Sequence, residues 1–199
     1  MNEYVLAVLA VAATVYGASA GAKLLSRRAY RSYRAGLAET SLVPARRLPV
    51  TAASLAAAEA AAAGLAIAAI TAAAWPHGST LVTELSLAGA ALLTSVLAAG
   101  VATVMRRGTR AQCACFGAGS GRPLGGPHLA RNVGLLVILA SGLIGNEFSR
   151  GRPGLAAAAL AVSAGVVAGL MLTRLDDLIA LFAPISPAGG QLSDSGTSR

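Results

Sequence analysis

What most constrains this chain is the way its charges are gathered. Five stretches, at about 4–22, 50–74, 85–105, 128–148 and 155–173, carry almost no ionisable side chain, and the charged residues crowd between them. At about 1.5 Å per residue, each run is long enough to cross the hydrocarbon core of a bilayer as a helix. A helix also lets each segment satisfy its own backbone there. The pattern predicts an all-α integral membrane protein with five spans.

Composition supports this reading. Of 199 residues, 55% are hydrophobic and 12% charged, with a mean hydropathy of +0.66. A soluble domain of this length needs a more charged surface. Aromatics are only 4% and alanine dominates, so the helices carry small side chains that pack closely. The net charge of +8 invites comparison with nucleic-acid binders, but the basic residues sit at the ends of apolar runs, where they sort topology, and nucleic acid is excluded as a partner.

Span one, residues 4–22, is uncharged. A cleavable signal peptide competes with it, because Ala18-Ser19-Ala20 resembles a cleavage site, yet the preceding Met-Asn-Glu lacks a positive charge. Gly17 and Gly21 form a small-xxx-small pair suited to close helix contact. Lys23 then opens a basic segment in which Arg27, Arg28, Arg31 and Arg34 alternate with Tyr30 and Tyr33, a helix end expected in the headgroup region with tyrosines as anchors. Pro44 and Pro49 break any continuing helix before span two.

Span two contains one ionisable residue, Glu59, in the middle of the apolar run. A carboxylate there costs several kcal/mol unless it is paired, protonated, near the interface or facing a wet cavity, so Glu59 is a functional candidate. Trp75 is an interface anchor and His77 a solvated loop histidine. Span three ends at Arg106 and Arg107, and span four starts near His128. Span five holds Gly165 and Gly169, again four residues apart, and the amphipathic run after Thr173 extends it along the interface. The polar tail is expected to be disordered. The chain thus divides into a membrane domain at 1–148, an added transmembrane helix with its amphipathic extension at 149–183, and a tail at 184–199.

With five spans, the loops after spans one and three share a side with the C-terminus. That side holds fourteen of the sixteen basic residues, and only Arg150 and Arg152 lie opposite. The positive-inside rule puts the N-terminus outside a plasma (inner) membrane, with the C-terminus and the third loop cytoplasmic.

The third loop carries both cysteines, Cys113 and Cys115. A thiolate is the reactive form in disulfide exchange, and Arg110, Arg122, Arg131 and the start of span four favour it. A bridge across one residue is tight, and strained bridges tend to be labile and catalytic. Gly117, Gly119, Gly121, Gly125 and Gly126 supply backbone freedom. A zinc or copper site with His128 or His77 is a weak alternative, because four ligands are not in view. Two ordinary thiols at a membrane surface remain a third reading. With no second cysteine pair, any redox partner is another molecule.

Cys-Ala-Cys-Phe-Gly at 113–117, followed by Pro-Leu and by His128-Leu-Ala-Arg-Asn132 entering a helix, resembles the methylamine utilisation MauE proteins, related to DoxX-like membrane proteins. Ala20-Gly21-Ala22-Lys23-Leu24, Ser41-Leu42-Val43-Pro44 and Glu59 with Gly64 extend the likeness, which covers about residues 4–148. The resemblance implies a four-helix membrane core, to which span five is appended. It also implies a role in thiol-disulfide chemistry, with a thioredoxin-like protein or a disulfide-rich client as partner. Cys113 and Cys115 would be the redox pair, and Arg131, Asn132, Glu59 and Lys23 supporting residues. No metal or tightly held cofactor is implied. A further likeness to the bundle of vitamin K epoxide reductases raises a quinone acceptor, although this chain lacks the second cysteine pair those enzymes use. The alternative from another class is a non-catalytic scaffold or small-solute carrier in which Glu59 matters and the thiols do not.

Overall fold

The computed structural model describes residues 2–73, 80–108, 125–148, 151 and 153–175. They form six helices: α1 (Glu3–Leu24), α2 (Arg27–Glu39), α3 (Leu48–Ala72), α4 (Thr80–Arg106), α5 (Gly126–Glu147) and α6 (Leu155–Thr173). No strand occurs among the described residues. All except α2 are long and apolar enough to cross a membrane, so the five expected spans are present and the protein is a multi-pass membrane protein. Cys113, Cys115, His77, Trp75, the amphipathic run after span five and the C-terminal tail lie outside the described residues.

Helix α1 is the hub. Asn2 caps it by accepting a 3.0 Å hydrogen bond from the Val5 backbone N–H, and Glu3 meets the positive end of its dipole. Apolar residues surround the whole circumference of α1, and neighbours cover most of it: Val5, Val8, Leu9, Ala12, Val15 and Tyr16 are all buried in one core cluster with residues of α3, α4 and α5. In sequence, α1 packs on α3, α3 on α4, α4 on α5, and α5 returns to α1. This closed circuit is the four-helix core, and α6 is added on the outer side of α1.

Small residues decide two of these contacts. A Cβ on Gly165 would lie 2.2 Å from the Ala7 carbonyl oxygen, and one on Gly169 would lie 2.7 Å from Thr14 Cβ, so α6 approaches α1 backbone to backbone. Gly142 makes room on α5 for a side chain of α1, since a Cβ there would lie 2.7 Å from Val8 Cγ1. The Gly17 and Gly21 pair behaves otherwise. Among the described residues nothing lies within 4 Å of a Cβ built on Gly17, and the neighbour of one on Gly21 is Leu25 of the following turn, so neither makes a close contact with another described helix.

The basic segment after span one is a separate helix rather than a continuation. Ser26 adopts an extended backbone and accepts from the Ala29 N–H at 3.0 Å, restarting the chain as α2. Pro49 sits in the first turn of α3, where its missing N–H has no intrahelical acceptor to lose, so it begins that helix instead of breaking one. The turn between α2 and α3 passes through Ser41 at φ +53°, a left-handed conformation uncommon for a side-chain-bearing residue.

Candidate functional site

Lys23 corrects the sequence reading. Expected at the start of a headgroup segment, it is 2% exposed, because it lies on the core-facing side of the last turn of α1. Its Nζ donates to both carboxylate oxygens of Glu59 at 2.5 Å and to Ser19 Oγ at 3.1 Å. Glu59, from the middle of α3, is equally buried. A lone charge in this setting would cost several kcal/mol even after relaxation, and each of these charges removes most of that cost for the other. Glu59 is therefore a paired carboxylate.

A third element closes the pair. Tyr33, the one buried residue of α2, places its ring 4.8 Å from Lys23 Nζ. A desolvated ammonium over a tyrosine face gains about 2 kcal/mol, so α2 is fastened to the membrane core through the same lysine that binds α3.

Glu59 also lines a cavity of about 60 Å³ between α1, α3, α4 and α5. Tyr16 and Ser19 come from α1, Thr94 from α4, and His128, Arg131 and Asn132 from the first turns of α5. The α5 residues reach it because His128, Arg131 and Leu135 fall on one helical face, and all three are buried. The Tyr16 hydroxyl lies 2.8 Å from the Ala90 carbonyl and 2.5 Å from Thr94 Oγ1, and Thr94 donates to Ala90 at 2.7 Å. This triangle ties α1 to α4 and satisfies a phenol that would otherwise be stranded in apolar surroundings.

The structure thus brings Lys23, Glu59, Arg131 and Asn132 to one end of the bundle. Gly108 and Gly125, the described residues that flank the cysteine segment, belong to the same end, after α4 and before α5. Tyr16, Ser19, Thr94, His128 and Tyr33 complete the site. The first two had a legible signal: Tyr16, Ser19 and Lys23 recur at helical spacing in an otherwise apolar run. Thr94 had none. Among the described residues no three His, Cys, Asp or Glu side chains converge on a point that would hold a metal.

The cavity has room for on the order of four or five water molecules.

No curated protein and no solved structure matches this chain. The sequence model of the family described as methylamine utilisation protein MauE matches residues 1–145, the whole of the four-helix core up to the last turn of α5 and none of α6. A match over that share of the chain assigns it: the protein belongs to the MauE family.

Proposed function

We propose that the protein is a membrane-embedded thiol-disulfide redox protein that assists the maturation of a partner through Cys113 and Cys115, in methylamine utilisation or a related amine or redox pathway. The observation that carries this reading is the gathering of the buried polar residues Lys23, Glu59, His128 and Arg131, with the half-buried Asn132, at the bundle end from which the Cys113–Cys115 segment departs. Membership of the MauE family agrees with it. A thioredoxin-like protein or a disulfide-rich client is the partner.

The exchange balances in two steps. In the oxidising direction, a thiolate of the partner attacks the Cys113–Cys115 disulfide, one cysteine leaves as thiolate and a mixed disulfide forms. A second thiolate of the partner then breaks the mixed disulfide, so the partner ends with a disulfide and the protein with two thiols. In the reverse direction the same bonds carry two electrons and two protons back. The test is an alkylation gel shift on cells: a reversibly oxidised form of the wild-type protein is expected, and permanent reduction of both thiols would sink the proposal.

By charge, the protein lies in the plasma (inner) membrane with the N-terminus outside and the cysteine segment at the cytoplasmic face. Labelling of Cys113 or Cys115 by an impermeant maleimide in intact cells would reverse that assignment.

A second reading is favoured by one observation, the placement of Glu59 on the cavity wall: a scaffold or small-solute carrier whose working residue is Glu59. Function lost in Glu59→Gln and retained in Cys113→Ser and Cys115→Ser is the outcome that selects this reading.

A further inference from the structure

We propose that the arginine face of α2, together with the groove between it and the end of α1, is a docking surface for anionic phospholipid headgroups. The surface is independent of the cysteines and of the direction of any redox step.

Its position follows from chain length. The spanning helix α1 ends at Leu24 and α2 begins at Arg27, so two residues separate them. At no more than about 3.6 Å per residue, the start of α2 is held at the level where the span leaves the hydrocarbon. Tyr33 fixes its rotation, because the ring is buried over Lys23 on the core side. Arg27, Arg31 and Arg34 follow one another at spacings of four and three, with Arg28 beside Arg27, and the four fall within an arc of about 120°. Arg27, Arg28 and Arg31 are exposed.

Among the described residues this face shows no ion pair to an acidic side chain. Cations four apart on a helix repel, and the first turn of α2 holds no acidic residue. An external anion supplies what the helix does not.

The groove selects the kind of anion. It has a volume of about 580 Å³ and is lined by Leu24, Ser26, Arg27, Tyr30 and Arg31. Two guanidinium groups match a phosphate, which they bind by paired N–H donors. Leu24 is 53% exposed and the adjacent Leu25 87% exposed, so apolar surface lies next to the cations. A phospholipid offers both a phosphate for the arginines and an acyl region for the leucines. A free phosphate offers only the first.

Native mass spectrometry of the full-length protein in detergent tests this, with dioleoylphosphatidylglycerol, dioleoylphosphatidylcholine and glycerol 3-phosphate as probes. The wild type is expected to bind the anionic lipid at least tenfold more tightly than the zwitterionic one, with each arginine contributing about fivefold. Arg27→Gln/Arg28→Gln/Arg31→Gln should bring the two lipids within about threefold of each other, Arg→Lys at the same three positions should keep the preference, and Arg106→Gln/Arg107→Gln at the other loop should leave it intact. Should the triple glutamine variant not purify as a monodisperse protein, Arg27→Gln and Arg31→Gln singly are each expected to lose about fivefold. The proposal is overturned by an unchanged preference in the α2 variants, by an equal loss in the Arg106/Arg107 variant, or by glycerol 3-phosphate binding as tightly as the lipid.

Discussion

Glu59→Ala isolates the energetics of the buried pair. The substitution removes both acceptors that lie 2.5 Å from Lys23 Nζ and leaves an ammonium that is 2% exposed, beside Ser19 Oγ at 3.1 Å and the Tyr33 ring. Breaking a buried ion pair by removing one partner costs about 3–5 kcal/mol. A neutral hydroxyl acceptor and an aromatic face, which contribute about 1 and 2 kcal/mol respectively, are already engaged and cannot supply the difference. The expected loss is therefore about 3 kcal/mol, a shift on the order of a hundredfold in the folding equilibrium. The matched double variant Lys23→Met/Glu59→Leu removes both charges and keeps similar volume, so it should fall within about 1 kcal/mol of wild type. The assay is reversible unfolding by sodium dodecyl sulfate in mixed micelles, followed by far-ultraviolet circular dichroism and read as a double-mutant cycle. Recovery in the double variant is the diagnostic result. A single variant within 1 kcal/mol of wild type, or a double variant as unstable as the two singles combined, would refute a mutually compensating pair.

Three further outcomes are expected. Gly165→Ala places a methyl 2.2 Å from the Ala7 carbonyl and should destabilise the α1–α6 contact by about 1–3 kcal/mol, whereas Gly17→Ala meets nothing within 4 Å and should be neutral or slightly stabilising in the same unfolding assay. Tyr16→Phe removes the hydroxyl that bridges Ala90 and Thr94 and should cost about 1 kcal/mol, with membrane insertion unchanged by fractionation. Cys113→Ser and Cys115→Ser should each abolish partner maturation while leaving the protein in the membrane; normal maturation in both variants refutes the redox reading.

The membrane class was legible because it depends on run length and charge spacing, and both are properties of the sequence itself. Side chains of this chain are mostly apolar all round each span, so the sequence carries little information about which face of a helix meets protein and which meets lipid. That is why one small-xxx-small pair succeeded and another did not. Gly165 and Gly169 meet α1 at close range, Gly17 and Gly21 make no such contact among the described residues, and the two motifs read alike. Glu59 stood out by its cost in an apolar run, but its partner did not, because a lysine one turn from the end of a span reads as an interface residue. Pairing depends on the register of α1 against α3, a tertiary quantity. Tyr16, Ser19 and Lys23 lay on one stripe of α1, and that stripe was the clue available in the sequence.

The burial of Lys23 also bears on topology. The positive-inside rule concerns cations exposed to the membrane surface, and a lysine neutralised by Glu59 inside the bundle contributes little to it. Arg131, buried on the cavity wall, is set aside because it too is not exposed to the membrane surface. Removing both leaves twelve of fourteen basic residues on the side proposed to be cytoplasmic, so the asymmetry survives the correction. Its weight shifts, however, toward α2. The four arginines of that helix lie within about one helix length of the end of span one, where the rule acts most strongly. The same residues form the surface proposed to meet anionic lipid, and both roles require that α2 stay at the headgroup level. Tyr33 over Lys23 provides that restraint, so in the proposed orientation the buried ion pair would act through the helix it fastens and not through its own charge.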